Sequence, residues 1–498
     1  MNPSMNQGLS IFAFLCVPAL AGCSTDFSPS SCQTDADCGD GLVCAQATCA
    51  QATTAPLRIG MSAAASGPSQ DLGTEMKRGI SLAFQAQNEA GGVRGRPVML
   101  DFRDDEYRPD LAQQNADGLL DVKPGNGPPR CPTTTTPPVA GQDPFSSTVL
   151  DRGPDAVLAV LGNVGTPTMV RFAPIAVETQ TLFFGAFTGA KAMLRDDKAG
   201  PCARYIFNVR ASYGQEAHAT LEFFMSRGIT DWRHLVSFDQ NDSFGQAGYD
   251  GLTAAYAVIE GLTPLPAGET IARFRYTRDD LSSIPAQVDA TTDYIQGILG
   301  TDALPHVVGI FMTDTYGPAT QFITAMRDWH YGDPDRAQRL TMLFSNVSFV
   351  GPNSLASRLK DAGTVNTGGS GTKPYTDGVF ISQVVPNYEQ DSSDTVLEYK
   401  KLIASEGAAP NFTSLEGYIA ARVFLAGLIE HQGDFSSEGL ISTFESLPEL
   451  TLGLGATSGF SPETHDYSKS VWGTAITSTG TFQNVYYWRE GTPISFFE

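Results

Sequence analysis

The stretch QNEAGGVRGRPVMLDFRDDEY, residues 87–107, decides how the rest of the chain is read. Its centre, AGGVRGRP, concentrates glycine, arginine and proline, and a run of acids, Asp104, Asp105 and Glu106, closes it. A phosphate cradle carries its glycines between a strand and the helix that follows, so that the helix N–H groups face the anion. Here the order is reversed. Met76, Ile80, Ala83, Phe84 and Gln87 recur at helical spacing before the glycines, and Val98, Leu100 and Phe102 alternate after them. The segment therefore leaves a helix near Ala90 and enters a strand at Val98. Gly91 or Gly92 supplies the left-handed residue that stops the helix, and Pro97 starts the extended chain. Such a corner lies at the end of a sheet away from any ligand.

Working outward, LRIGMS (57–62) alternates as a half-buried strand, so strand, helix, corner and strand form one βαβ unit of a parallel sheet. The pattern repeats. AVLAVLG (156–162) is a continuous apolar run, as a strand covered on both faces requires, and a helix over 167–177 and a strand TLFFGA follow. A second series runs through a helix at 214–227, HLVSF, a helix at 246–260, ARFRY, VVGIFM, a helix at 318–329 and TMLF. GVFISQVV (378–385), helices at 392–405 and 413–431, and the strands SVWGTAI and NVYYW close the chain. The fold class is α/β, with two similar lobes between which the chain crosses more than once. Residues 122–148, rich in Pro and Thr, read as an insertion, and 363–377 as a flexible surface loop, since Pro374 blocks the helix a phosphate loop would need.

At 498 residues the chain is too long for one core. Its formal net charge of -22 disfavours nucleic acid and anionic membranes. The 6 histidines form no HExxH or other close pair, so no metal site and no cofactor are expected. With neither a GxSxG elbow nor a catalytic histidine constellation, the chain is not expected to be an enzyme.

Residues 1–23 read as an export signal. The apolar run LSIFAFLCVPALAGC ends in Leu20-Ala21-Gly22-Cys23, which resembles the bacterial lipobox, with Cys23 as the lipidated residue. The segment before it, MNPSMNQ, departs from that pattern in carrying no Lys or Arg. Residues 24–56 read as tether, small knot and linker. Cys32, Cys38, Cys44 and Cys49 cluster there, and Cys131 and Cys202 remain. Two bridges in the cluster and a Cys131–Cys202 pair would leave no free thiol, as an oxidising compartment favours. Three connectivities of the cluster stay open, and its spacing lacks the CxxC pairs of a zinc knuckle.

From Leu57 onward the chain resembles type I periplasmic binding proteins, in the branched-chain amino-acid (Leu/Ile/Val) branch. The matching stretches, in order, include LRIGMSAAASGP, GISLAFQAQNEAGGVRGRPVMLDFRDDEY, VLGNVGTPT, FTGAKAMLR, YIFNVRASYGQE, DQNDSFGQAGYDG, FSNVSFVG, ISQVVP and SLEGYIAARVFLAGL. The resemblance implies two lobes joined by three crossovers, near 208–212, 383–387 and 467–472. Lobe 1 is then 57–208 with 388–467, and lobe 2 is 212–382 with 470–498. Cys131 and Cys202 share lobe 1 in that division. The implied function is capture of a small organic solute, an amino acid or related carboxylate, by hinge closure and delivery to ABC permease subunits. The same fold also serves signalling systems as a ligand-sensing subunit, which is the alternative reading. A monomer is expected on the periplasmic side of the cell envelope, touching a membrane only through the lipid anchor.

Parallel α/β sheets bind ligands beyond the carboxyl ends of their strands, often at helix N-termini. Three loops of lobe 1 qualify, and Ser66, Gly165, Thr166, Phe187 and Thr188 are the candidates there for a carboxylate. From lobe 2 the candidates are Asp242, Phe244, Asp314, Thr315, Tyr316 and Ser348. The resemblance implies that Phe244 covers the ligand. It also puts Ser348 where branched-chain binders hold a glutamate for the ligand's amine. That departure leaves Asp242 or Asp314 to supply the charge, or implies a ligand without an amine.

Overall fold

A computed structural model describes residues 42–45, 48–51, 55–130, 149–190, 203–300, 305–367, 371–454 and 459–497. The first sheet contains β1 (Leu57–Ala63), β2 (Val98–Asp104), β3 (Ala159–Leu161), β4 (Leu182–Phe184) and β5 (Ile206–Phe207), all parallel, in the order β2-β1-β3-β4-β5. The second contains β6 (Leu235–Gln240), β7 (Ala272–Tyr276), β8 (His306–Thr313), β9 (Leu340–Val347) and β10 (Val379–Gln383). These five are also parallel. Three antiparallel strands, β11 (Ser470–Ile476), β12 (Phe482–Arg489) and β13 (Ser495–Phe496), complete it in the order β7-β6-β8-β9-β10-β11-β12-β13.

Helices α1 (Gln70–Glu89), α2 (Pro109–Leu119) and α3 (Thr166–Glu178) connect strands of the first sheet. The second sheet carries α4 (Tyr213–Ser226), α5 (Ser243–Val258), α6 (Ile284–Leu299), α7 (Tyr316–Tyr331), α8 (Pro334–Arg339) and α9 (Pro352–Ala362). α10 (Asp394–Ser405), α11 (Phe412–Glu430) and α12 (Ser437–Glu445) come late in the chain, and α11 packs directly on α1 of the first sheet. Between the sheets the chain runs through 208–212. There Asn208 N–H donates to His465 O at 2.8 Å and Tyr467 N–H to Asn208 O at 2.8 Å, so early and late segments lie side by side.

The 87–107 stretch forms the corner its order demands. α1 ends at Glu89, Gly91 and Gly92 take φ of 108° and 75°, and β2 begins at Val98. A Cβ on Gly92 would lie 2.3 Å from Arg96 O, so the turn needs glycine for space as well as for φ. Gln87 Nε2 donates to Gly92 O at 2.7 Å, tying the last turn of the helix to the corner.

Several expectations are revised. Residues 364–374 are not only a loop: Thr364–Asn366 pairs antiparallel with Thr372–Pro374, a register in which Pro374 occupies a strand end. α2, α6 and α12 form where no helix is expected from periodicity. In the N-terminal segment, Leu42–Ala45 and Thr48–Gln51 form a hairpin with Cys44 opposite Cys49 in the backbone register. Cys23, Cys32, Cys38, Cys131 and Cys202 lie outside the described residues, so the expected disulfide-rich knot has no structural support.

Among the described residues one helix, α11, is long and apolar enough to cross a membrane, with mean hydropathy 1.3 in its most apolar window, but 83% of that window is buried in the protein. It is apolar all round because it is a core helix. Its approach to α1 is backbone-close. A Cβ on Gly79 would lie 1.8 Å from Ser414 O, and one on Gly417 would lie 2.4 Å from Met76 O. Gly79→Ala is expected to force the helices apart and to cost about 1–3 kcal/mol, read as a lowered midpoint in urea unfolding.

Candidate functional site

The carboxyl ends of both sheets face a shared zone. From the first sheet, the turn after β3 brings Gly165 (φ 98°) to the start of α3. A Cβ there would lie 2.3 Å from the Tyr107 ring, so only glycine admits that close approach. No side chain caps α3, which leaves its first-turn N–H groups and positive dipole end to other acceptors. Thr166 opens this helix. Its hydroxyl meets the Thr188 hydroxyl at 2.7 Å, and Thr188 Oγ1 lies 3.4 Å from the Tyr213 hydroxyl, all of them buried. Phe187 packs beside them.

Phe349, just beyond β9, closes the zone from the other side. Its ring centroid lies 4.9 Å from Phe187, 4.7 Å from Phe244 and 6.1 Å from Tyr107. Phe244 in turn lies 5.5 Å from Tyr213. Tyr316 donates its hydroxyl to Pro68 O at 2.6 Å, and Ser354 donates to Asp71 at 2.7 Å, so the second sheet's helices bond the loop after β1 and the first turn of α1.

Ser348 lies in a charged network that the sequence reading missed. Glu216 on α4 accepts from Ser348 N–H at 2.7 Å, from Ser348 Oγ at 3.2 Å and from Ser382 Oγ at 2.8 Å. Arg210, 2% exposed, bonds Glu216 at 2.9 Å, approaches Glu416 on α11 at 3.4 Å and donates to Ser348 Oγ. Its guanidinium also stands 5.1 Å from the Phe187 ring centroid and 5.7 Å from that of Tyr213. Burial opposes the Arg210 charge, yet Glu416 and Glu216 outweigh it and hold the guanidinium above its ordinary value. Burial also raises the Glu216 carboxyl, and the Arg210 charge and serine bonds counter this only in part. A carboxylate thus does stand at Ser348, but it arrives from another element and with its counter-charge in place.

The remaining candidates fall elsewhere. The Ser66 hydroxyl donates to Asp104, the last residue of the neighbouring strand β2, at 2.6 Å. Asp242 caps α5, accepting from Phe244 N–H at 2.9 Å and Gln240 Nε2 at 2.7 Å, with Arg278 at 3.5 Å. Thr315 N–H donates to the Tyr276 hydroxyl at 3.4 Å. Asp314 is fully buried, and neither carboxylate oxygen has a hydrogen-bond partner. Burial, with Asp239 adding to it, pushes its carboxyl well above the ordinary carboxylate range. Tyr107, in the loop after β2, was also missed; the apolar-pattern reading passes over an aromatic that follows three acids.

Two consequences are measurable. Arg210→Met leaves two buried carboxylates without their counter-charge and should cost about 3–5 kcal/mol in chemical denaturation. Adding Glu216→Met to it should recover part of that loss. Separately, burial lifts Asp105, bonded to Ser62 Oγ at 2.7 Å and Tyr107 N–H at 2.9 Å, from 3.8 to about 7. The stability this group contributes is fully present below its unfolded value of 3.8 and is lost as pH rises through about 7. Asp105→Asn should flatten the pH profile of the unfolding free energy across that window.

Comparison with known proteins bears on the fold. The family model described as periplasmic binding protein matches residues 56–124. A Leu/Ile/Val-binding protein homolog 3 of Brucella melitensis is 38% identical over 60 residues, which is 12% of this chain and 16% of that protein. Among solved structures, a possible leucine/isoleucine/valine-binding protein from Rhodopirellula baltica superimposes with TM-score 0.66 at 28% identity, over 87% of this chain and 96% of that one. A branched-chain amino-acid ABC transporter protein from Thermus thermophilus with bound valine gives TM-score 0.62 at 14% identity, over 89% and 97%. Residues 56–124 thus match the periplasmic binding protein family, and the described residues share the fold of a possible leucine/isoleucine/valine-binding protein.

Proposed function

We propose that this chain captures a small organic carboxylate between its two sheets by hinge closure and delivers it to an ABC importer. The observation that carries the reading is the facing of the two carboxyl edges. The uncapped N-terminus of α3 and the Thr166–Thr188–Tyr213 hydroxyls stand on one side, and Phe244, Phe349 and Tyr316 on the other. N–H groups, hydroxyls and a helix dipole suit a carboxylate, and the aromatic rings suit an apolar body. Only a ligand touching both edges would favour the closed arrangement over an open one.

In this reading the two lobes are 57–208 with 388–467 and 212–382 with 470–498, and 208–212, 383–387 and 467–472 act as the hinge. The family's place is extracytoplasmic, and we assign Cys23 as a lipid anchor and the cysteine-rich segment as a spacer. The valine held by the Thermus thermophilus protein makes branched-chain amino acids the first ligands to test.

A thermal-shift screen with L-amino acids, 2-oxo acids and aromatic acids tests the proposal. A true ligand at one hundred times its dissociation constant should add about 2.7 kcal/mol to the unfolding free energy. Thr166→Val combined with Thr188→Val should weaken that ligand about tenfold or more by removing two hydroxyls. A screen in which no carboxylate shifts the transition would overturn the reading.

A further inference from the structure

Tyr107 is 1% exposed although it sits in the loop after β2. Its backbone is unusual as well. Glu106 and Tyr107 take φ of 53° and 61°, two successive left-handed residues with no glycine between them. Such conformations are rare for side chains of this size and persist only where neighbours hold them. Here two carboxyl groups do so. Asp104 Oδ1 accepts Glu106 N–H at 2.9 Å and Ala65 N–H at 2.8 Å, and Asp105 Oδ1 accepts Tyr107 N–H at 2.9 Å. Asp105 is itself buried and is fixed by the Ser62 hydroxyl at 2.7 Å. The first sheet thus maintains a strained turn whose outcome is the direction of one ring.

That ring crosses the shared zone. On one side it abuts Gly165 at the start of α3, where a Cβ would lie 2.3 Å from Tyr107 Cε2. On the other, its centroid lies 6.1 Å from that of Phe349 and 5.9 Å from the Arg278 guanidinium. Burial, and then the Asp242 charge, holds the phenol well above its ordinary value, so the hydroxyl stays neutral. Phe349, Arg278 and Asp242 stand in three different loops beyond the carboxyl ends of the second sheet's strands. A side chain of the first sheet therefore occupies the space between the uncapped N–H groups of α3 and the edge that faces them.

We propose that Tyr107 sets the size of the ligand: its ring fills the space into which a long or aromatic side chain would extend from a carboxylate held at α3, so the cleft takes short aliphatic acids. This deepens the solute-binding reading and rests on it. The ring has nowhere to retreat. Gly165 already touches it from behind, and Phe349 in front is itself packed 4.9 Å from Phe187 and 4.7 Å from Phe244. Close-packed interiors resist added volume, so a larger ligand must displace a ring or be refused. In a filled apolar pocket, one methylene changes selection by about ten- to two-hundredfold.

The test is isothermal titration of the full chain with acids graded in size: L-alanine, L-valine and L-phenylalanine, and pyruvate, 3-methyl-2-oxobutanoate and phenylpyruvate as the series without an amine. The wild-type protein is expected to bind an aliphatic member of a series at least about tenfold more tightly than its phenyl member. Tyr107→Gly suits the left-handed backbone and removes the ring. It should raise the affinity for the phenyl member about tenfold or more, relative to the smallest member. Tyr107→Phe keeps the ring and removes only the hydroxyl, so the wild-type order of sizes should return. A wild-type protein that binds the phenyl member as tightly as the aliphatic ones overturns the proposal. So does a Tyr107→Gly protein that keeps the wild-type order, which would make the ring structural only. Both results leave the solute-binding reading intact. If no member of either series binds the wild-type or the Tyr107→Gly protein, the size proposal fails, and the wider carboxylate screen decides the reading beneath it. Should Tyr107→Gly fail to fold, Tyr107→Asn takes its place with the same expected result, because asparagine tolerates the same backbone.

Discussion

The Arg210 guanidinium holds the middle of this molecule. It meets Glu216 of α4, Glu416 of α11 and the Ser348 hydroxyl after β9, and it stands near the faces of Phe187 and Tyr213. Those partners come from both sheets and from a helix late in the chain. Ions taken out of water are tolerated only where geometry and extra hydrogen bonds compensate for lost hydration. Glu216 has that compensation from Ser348 N–H and Ser382. An apolar plug of the same volume would hold the sheets together without directing them. A planar, forked cation bound to oxygens at fixed distances also fixes how they face each other.

Given that orientation, the chemistry of the shared zone divides cleanly. The first sheet presents donors at Gly165, Thr166 and Thr188, because its strands point helix N-termini and hydroxyls at the zone. The second presents aromatic rings, because Phe244 and Phe349 follow its strands. Tyr107 lies between the two, touching Gly165 on one side and Phe349 on the other. A glycine at 165 is the condition for that contact.

What could be read from the sequence was local. The 87–107 corner could be read because helix period, glycine, proline and strand alternation succeed one another within a few residues. Thr166 and Thr188 each follow an apolar strand, and their hydroxyls meet at 2.7 Å. α2 escaped notice because its buried side is only Ala112, Ala116 and Leu119, too small a stripe to stand out. α6 buries Thr291 and Thr292 among its apolar residues, which blurs its period. The charged network was illegible for another reason. Arg210, Glu216, Ser348 and Glu416 sit in separate segments, and nothing near any of them in the sequence announces the others. Ser66 donates its hydroxyl to Asp104 at the end of β2, a partner 38 residues away that its own segment does not announce. The carboxylate beside Ser348 belongs to Glu216 of α4 and is already paired with Arg210, an arrangement in space that a linear comparison does not see.

The packing of α11 on α1 also bears on how the chain reaches its folded state. Gly79 and Gly417 let the two backbones touch, so the layer over the first sheet is incomplete until residues 412–430 are in place. The first sheet's strands are all synthesised by residue 207, long before that helix exists. Contacts closed across so long a stretch form slowly, and the apolar surface they cover stays open meanwhile. A chain built this way remains threadable while it is being made. Its architecture thus delays its own compaction until residues 412–430 have been made.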